Sequence, residues 1–363
     1  MMILWFPDVF PTELVALDAA FLLIGGGNAV IIGILLSMIS DVFPEDKRAT
    51  AFMRLQVSGL VGHLVSPALS SAMMASTGPW PVMLVAIACL IVAAIGFLFV
   101  PETLSHKTRN EDEAEQENQP SDSQGPFLRT LDAIKKSLSI LNSPSLILLL
   151  IICLLATPFT AAVLQFLVQF VSKRYEVLIR DTGYIQSAYG FAQIIQALLL
   201  LPWVSTIMLK DTTLRALRMA NEQERDLALA KYSFCFALLG FVVLGATPSL
   251  ALFIVGLLVL ALGSGYSSLV HSIMSLYVDP LHQSQLFCLV GMVEVIGTLF
   301  GAPMLAGLFT MGIRLGGGWI GLPYYGLAAL ALLCIGVISF VRVPKHAAVV
   351  DASEQLEDPE ESE

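Results

Sequence analysis

Apolar runs of about 20 residues recur along this chain, and they restrict its fold more than any other feature of the sequence. An α-helix rises 1.5 Å per residue, so a run of about 20 residues crosses the ~30 Å hydrocarbon core of a bilayer. Hydrophobic residues make up 56% of the chain and charged residues 13%, a composition outside the usual range of soluble domains. Nine runs stand out, at about residues 15–40, 55–76, 80–100, 145–171, 183–208, 231–247, 249–277, 285–312 and 320–342. The sequence therefore predicts an all-α, polytopic membrane protein with about nine transmembrane helices that contact the lipid bilayer.

Polar segments divide the nine runs into two groups. Residues 1–100 contain three spans, a partial N-terminal helix bundle, and residues 144–343 contain six, a C-terminal bundle. The linker between them, 101–143, has an acidic middle rich in Gln and Ser, which predicts disorder. Its end, 127–138, places apolar residues on one helical face and predicts a helix lying on the membrane surface. We expect the linker to tether the bundles, with a regulatory, phosphorylated segment as the alternative, and residues 344–363 to form an acidic tail.

Basic residues favour one orientation in the membrane. With the N-terminus outside, the segments facing the cytoplasm contain 15 of the 19 Lys and Arg residues, in agreement with the positive-inside rule. The linker and the C-terminus are then cytoplasmic. The net charge of −10 comes largely from the acidic linker and tail, so no basic face for nucleic acid is expected.

The chain lacks the common sequence patterns of soluble enzymes and cofactor sites. It has no Walker-type glycine loop for ATP, no HExxH motif and no clustered His and Cys for a metal. Its five cysteines lie inside apolar runs without paired spacing, which argues against a disulfide framework or a zinc site. We therefore expect neither an enzyme nor a bound cofactor.

Two segments of the chain repeat one order of features. Each is an apolar helix with close-packing glycines near its start and an acidic turn at its end. A shift of 238 residues places Gly25 on Gly263, Gly27 on Gly265, Ser37 on Ser275 and Asp41 on Asp279. Parallel repeats about an axis along the membrane normal build two-halved secondary transporters. The repeat therefore predicts a membrane carrier.

Five motifs spread over the chain resemble one transporter family. They are GGGNAV from Gly25, SDVFPEDKRATAFMRLQ from Ser40, PETL from Pro101, LGSGYSSLVHSIMSLYVDP from Leu262 and RLGGGWIGLPYY from Arg314. Together they are similar to the major facilitator superfamily, and within it to the fungal branch that exports drugs and secondary metabolites. The resemblance implies twelve helices in two six-helix bundles, around a cavity that opens alternately to each side. Aligned on these motifs, the nine spans correspond to the fourth to twelfth helices, so the first three are expected to be missing.

The resemblance implies a function in transport across the plasma membrane. We expect proton-coupled export of a small organic molecule, a toxic compound or a secondary metabolite. A non-transporting truncated fragment and a receptor-like or channel-like membrane protein are the alternatives. The polar residues that the resemblance places on cavity-lining helices are candidate substrate contacts: Asn28, Gln165, Gln169, Tyr266 and His271. Gln165 and Gln169 are four residues apart and share a helical face, with hydrogen bonding between helices as their alternative role.

Two titratable side chains inside spans are candidates for proton coupling. Glu294 lies in an apolar stretch about ten residues from either end of its span, where a charged carboxylate costs at least about 2.5–3.5 kcal/mol on insertion scales. It should therefore be neutral, paired or facing a cavity, which suits a group that carries a proton or recognises a cation. A neutral, hydrogen-bonded packing residue is the alternative. His63 is the second candidate because imidazole titrates near neutral pH, with helix packing among its small neighbours as the alternative.

Charged residues near the inner ends of spans predict pairs that close the cytoplasmic mouth. They are Asp41 with Arg48, and Glu102 in the PETL motif. Such pairs can hold one state of a transporter and break in the other. Solvated helix ends are the alternative interpretation of all three.

Overall fold

The computed structural model describes residues 45–99, 143–204, 222–278 and 283–342, together with five positions between 31 and 39. Every regular element within these ranges is helical. The α-helices are α1 (Glu45–Thr77), α2 (Pro79–Leu98), α3 (Pro144–Ala161), α4 (Leu167–Tyr175), α5 (Ile179–Ile195), α6 (Glu222–Ala246), α7 (Leu250–Leu262), α8 (Tyr266–Ser275), α9 (Gln283–Leu315) and α10 (Leu322–Ser339). Two π-helical turns, Ala162–Phe166 and Gln196–Leu200, continue α3 and α5, and a 3-10 helix, Gly317–Gly321, precedes α10.

Eight helical stretches in the described ranges are long and apolar enough to cross a membrane. They are Val57–Thr77, Pro79–Leu98, Pro144–Tyr175, Ile179–Val204, Glu224–Ala246, Leu250–Ser275, Leu289–Leu315 and Gly317–Ser339. These stretches confirm the last eight predicted spans, with ends displaced by several residues at most. The first predicted span, apart from its five described positions, lies outside the described residues. So do nearly all of the linker, with its predicted surface helix, and the acidic tail.

Proline and glycine set several helix boundaries. Pro79, Pro144 and Pro323 lie in the first turns of α2, α3 and α10, where the missing N–H would have had no partner in the helix. Gly78 and Gly316 have φ angles of 84° and 71°, in the left-handed region that glycine adopts without strain. The resulting sharp turns lay α1 beside α2 and α9 beside the 3-10 helix.

The buried core lies in the six spans that follow residue 143. In this part α6 packs on α7, α8 and α10, while α9 and α10 pack on α3. An aromatic cluster fills the centre: Phe170 stacks on Phe253 with ring centroids 5.7 Å apart and meets Tyr324 edge-on at 4.7 Å. Contacts of this geometry add to packing beyond buried area. In contrast, α2, which the structure describes throughout, has no buried residue, and α1 packs chiefly on α5.

Glycines bring α9 into close contact with the middle of α3. A Cβ atom added to Gly297 would lie 2.7 Å from Thr157 Oγ1 and 3.0 Å from the Leu154 carbonyl oxygen. At Gly301, four residues on, it would lie 3.0 Å from Cγ of Pro158. Small residues at this spacing let membrane helices approach closely, and the approach occurs where Pro158 cannot donate to the Leu154 carbonyl.

Candidate functional site

The structure brings together His271, predicted to bind substrate, and Glu294, predicted to couple protons. His271 Nε2 on α8 lies 3.6 Å from Glu294 Oε1 on α9. The two side chains are 30% and 40% exposed, so the pair lies at the surface of the helix bundle rather than sealed in its core. An imidazolium and a carboxylate at this distance attract each other, and a carboxylate in an apolar span needs such a partner. Each of the two residues was predicted separately as a site residue, but their positions along the chain did not predict that they are in contact.

Tyr266 connects the pair to α3. It is the first residue of α8, and its hydroxyl makes a hydrogen bond with the side chain of Thr160. The ring stacks on Phe234 at 5.0 Å and meets Phe159 edge-on at 5.7 Å. The Glu294 carboxyl lies close enough to act electrostatically on the Tyr266 hydroxyl. Tyr266 is therefore held on three sides, and Thr160 is a site residue that the sequence did not single out.

The two predicted glutamines lie beside a π-helical turn. Gln165 is within Ala162–Phe166 and Gln169 is in the first turn of α4, and both residues are exposed. A π turn interrupts the regular α-helical hydrogen bonding and often occurs at functional sites. Here Gln186 of α5 donates from Nε2 to the Leu164 carbonyl at 3.4 Å, which satisfies part of the irregular backbone. Substrate binding by Gln165 and Gln169 stays a prediction.

Of the five remaining predicted site residues, the structure describes the side chain of His63. His63 is exposed on α1, and its main chain lies against Gly190 of α5, where an added Cβ would be 3.0 Å from the His63 carbonyl oxygen. Asn28, Asp41 and Glu102 lie outside the described residues, and Arg48 is in α1 with its side chain outside the described part. Proton coupling by His63 and the three gating roles stay predictions.

A groove of about 340 Å³ lies between α1, α4 and α5 and was not predicted from the sequence. Its lining includes Ser66, Ser70, Ser71, Arg180, Thr182 and Gln186. Ser70 and Thr182 donate to carbonyls of their own helices, and Arg180 lies 3.5 Å from Asp181. Because these three groups already have partners nearby, the groove offers a ligand fewer available polar groups than the His271–Glu294 pair on α8 and α9 does.

Metal binding has no geometric support in the described part of the chain. Within it, no group of three or more His, Cys, Asp or Glu side chains is placed to hold an ion. Cys89, Cys153, Cys235 and Cys334 are free thiols.

Eight apolar spans in the described ranges, two of them joined by the His271–Glu294 pair, are those of an integral, multi-pass membrane protein. Residues 1–220 match the family described as Major Facilitator Superfamily, more than half of the 363 residues. The chain belongs to that family. The family consists of transporters rather than enzymes, in agreement with the sequence prediction.

Fungal efflux proteins are among the chain's relatives. It is 28% identical over 347 residues to the MFS efflux pump atnC of Emericella nidulans and 27% identical over 352 residues to the efflux pump ustT of Aspergillus flavus. Each match covers 93% of this chain, but only 65% and 67% of the respective relatives, so the chain spans about two thirds of their length. A crystal structure of the human organic anion transporter MFSD10 (TETRAN) aligns with a TM-score of 0.49 at 15% identity, covering 86% of this chain and 68% of that one. The predicted resemblance to the fungal efflux branch is confirmed.

Proposed function

We propose that this chain functions in a secondary transporter that exports small organic molecules and exchanges protons at the His271–Glu294 pair. The observation that carries the proposal is the 3.6 Å contact between the two side chains, on separate apolar helices of a major facilitator chain. Export as the direction of transport is supported by two relatives named as efflux pumps. The plasma membrane is the proposed location, with the 101–143 linker and the C-terminus in the cytoplasm because of the distribution of basic residues.

The force between α8 and α9 depends on how many protons the pair holds. With Glu294 ionised and His271 protonated, the pair is neutral overall and draws the two helices together. A second proton, on Glu294, removes the attraction and leaves one positive charge on His271. Loss of the His271 proton instead leaves a carboxylate without a counter-charge in an apolar span, which is costly. Proton uptake thus favours one arrangement of α8 and α9 over another, which is what coupling requires.

Among the described residues, Glu294 is the carboxylate that faces His271, and the other titratable groups near the pair are either paired elsewhere or uncharged. Asp226 of α6 accepts from Ser272 of α8 at 3.4 Å, and it is already bound by Arg225 at 2.9 Å. Glu294 also acts electrostatically on Tyr266 of α8 and on the Cys153 thiol of α3, and the Cys334 thiol of α10 lies near both groups. These phenol and thiol groups are uncharged in their ordinary state at neutral pH.

Cargo recognition is proposed for the exposed side chains of Gln165 and Gln169 and for the half-buried side chain of Tyr266. Gln165, Gln169 and Tyr266 supply amides and an aromatic ring, and Asn28 would add a further amide. His271 and Glu294 make the site sensitive to charge, which favours amphipathic molecules that are neutral or cationic. His63 is proposed as a second proton-carrying group, and Asp41, Arg48 and Glu102 as charges that close the cytoplasmic mouth.

The proposal is tested by export of rhodamine 6G, a fluorescent amphipathic cation, from yeast cells that lack their own drug exporters. Cells expressing the wild-type chain are expected to export the dye, and a protonophore uncoupler is expected to stop export. Glu294→Gln keeps the side-chain shape and removes the titratable carboxyl group. It should therefore abolish uncoupler-sensitive export while the amount of protein in the membrane stays unchanged. Glu176→Gln is the matched control, since it makes the same change at an exposed position after α4.

Two outcomes contradict the proposal: dye export that ignores the uncoupler, or wild-type coupling in Glu294→Gln. His63→Gln, measured beside them, decides whether the second candidate takes part. For the cargo site, Gln165→Ala and Gln169→Ala should change the preference among a panel of fluorescent dyes. A change in protein level alone would instead assign both glutamines to helix packing.

A further inference from the structure

The regular α-helical hydrogen bonding breaks between α7 and α8, inside a membrane-length span. There the N–H groups of Gly263, Ser264 and Tyr266 donate to carbonyls three residues back instead of four. α7 ends at Leu262 and α8 begins at Tyr266, within the span Leu250–Ser275. Irregular backbone at membrane depth is tolerated only where protein groups satisfy and enclose it. One side of this break is closed by α6, because a Cβ added to Gly263 would lie 2.6 Å from the Ser233 carbonyl oxygen. The break is thus packed against its neighbour and fixed in place.

Gln196 closes the other side of the break. It is the first residue of the second π turn, Gln196–Leu200, and it is 2% exposed. Its Oε1 accepts from the Ser264 hydroxyl at 3.2 Å, a donor that it shares with the Ala261 carbonyl at 2.8 Å. Its Nε2 would lie 2.6 Å from a Cβ on Gly265. A buried amide is costly unless it is hydrogen-bonded. The Gln196 amide therefore rests directly on the broken backbone and bonds to its middle residue.

We propose that Gln196 is a positioning residue for the His271–Glu294 pair and acts through the break at Gly263–Gly265. α8 is ten residues long and begins directly after the break. The direction set at its first turn therefore determines where His271, in the second turn, meets α9. The inference rests on the proposed function of the pair. Without the Gln196 amide, α8 loses a polar contact at its start, and the distance from His271 to Glu294 is no longer held.

The test compares two glutamines on the same helical stretch. Gln196→Leu removes the amide at similar size, and Gln193→Leu is the matched control because Gln193 donates within α5, to the Tyr189 hydroxyl at 3.3 Å. Export of rhodamine 6G is measured in the yeast cells over a range of external pH, together with the melting temperature in detergent. Gln196→Leu is expected to shift the midpoint of the pH profile by about one unit, a tenfold change in proton affinity. Gln193→Leu should keep the wild-type midpoint, and neither change removes a titratable group near the pair.

One result for Gln196→Leu overturns the inference. Export falls by the same factor at every pH, the midpoint of the pH profile stays at the wild-type value, and the melting temperature falls as it does for Gln193→Leu. Gln196 would then be a structural residue only. Should Gln196→Leu fail to fold, Ser264→Ala removes the hydroxyl that Gln196 Oε1 and the Ala261 carbonyl share and should give a smaller shift in the same direction. An unshifted midpoint in Ser264→Ala then overturns the inference. Failure of the proposed function looks different, because Glu294→Gln would itself keep the wild-type profile. Failure of this inference alone leaves Glu294→Gln uncoupled and the profile of Gln196→Leu unshifted.

Discussion

Glycines along α9 allow a graded test of how closely this helix packs on α3, one turn from Glu294. A Cβ added at Gly297 would lie 2.7 Å from Thr157 Oγ1 and 2.8 Å from Thr157 Cβ, whereas Gly291 and Gly307 have nothing within 4 Å. Alanine favours a helix over glycine by about 0.8–1.0 kcal/mol. A methyl group forced into a filled contact costs about 1–3 kcal/mol. Gly297→Ala should therefore destabilise the fold by up to about 2 kcal/mol, while Gly291→Ala and Gly307→Ala should be neutral or stabilise it by up to about 1 kcal/mol.

The measurement is the apparent melting temperature in detergent, followed by fluorescence-detected size exclusion. Membrane proteins often unfold irreversibly, so the rank order is compared at one heating protocol. Gly297→Ala should melt below the wild type. Gly301→Ala, whose Cβ would lie 3.0 Å from Pro158, should fall between Gly297→Ala and Gly291→Ala. If Gly297→Ala melts at or above Gly291→Ala, α9 does not approach α3 as closely as the structure shows.

Two further predictions concern the end of α4 and use the same assay. Arg174 donates from Nε and Nη2 to the Thr247 carbonyl at 3.3 and 3.1 Å and from Nη1 to Gly317 at 3.3 Å, a geometry that lysine cannot reproduce. Arg174→Lys should lower the stability of the fold by about 1–3 kcal/mol. Lys173→Arg, at the exposed neighbouring position, is the control. Equal melting temperatures for the two variants would contradict the prediction. Glu176 has a φ of 54°, so Glu176→Gly should stabilise the fold by about 1 kcal/mol; a lower melting temperature than Glu176→Gln would count against strain at this position.

Much of the architecture could be predicted from hydrophobicity alone. A bilayer requires helices of a fixed length whose outer surface is apolar, and this requirement leaves a long, strong signal in the sequence. The last eight spans were located for that reason. Hydrophobicity does not locate a helix boundary where charged residues continue the helix beyond the apolar run. For example, α1 begins at Glu45, although its membrane span begins at Val57.

The local irregularities could not be predicted in the same way. A π turn inserts one residue without changing the apolar composition, so Ala162–Phe166 and Gln196–Leu200 left no mark in the hydrophobic pattern. The sequence predicts close packing at Gly263 and Gly265, but it does not predict that the α-helical hydrogen bonding breaks there. Gln196 lay inside a predicted span without being singled out, and the available signal was an amide within an apolar run.

The candidate site was predicted residue by residue but not as a unit. Glu294 stands out as a carboxylate in an apolar run, because such residues are costly in a membrane and are seldom placed there without a role. His271 is a candidate because the family resemblance places it on a cavity-lining helix. Their contact depends on how α8 lies against α9, which follows from tertiary packing and not from spacing along the chain. For the same reason the link from Tyr266 to Thr160 on α3 was not foreseen.

Two amides on one helical stretch contact both irregular parts of the neighbouring spans. Gln186 donates to Leu164 in the first π turn, and Gln196, ten residues on, accepts from Ser264 at the break before α8. The same stretch packs along α1 through Gly190. A displacement of α5 along its axis therefore strains both amide contacts at once, one at the π turn that contains Gln165 and one at the break before α8. The proposed cargo contacts and the proposed proton exchange are for this reason both expected to respond to how α5 packs on α1.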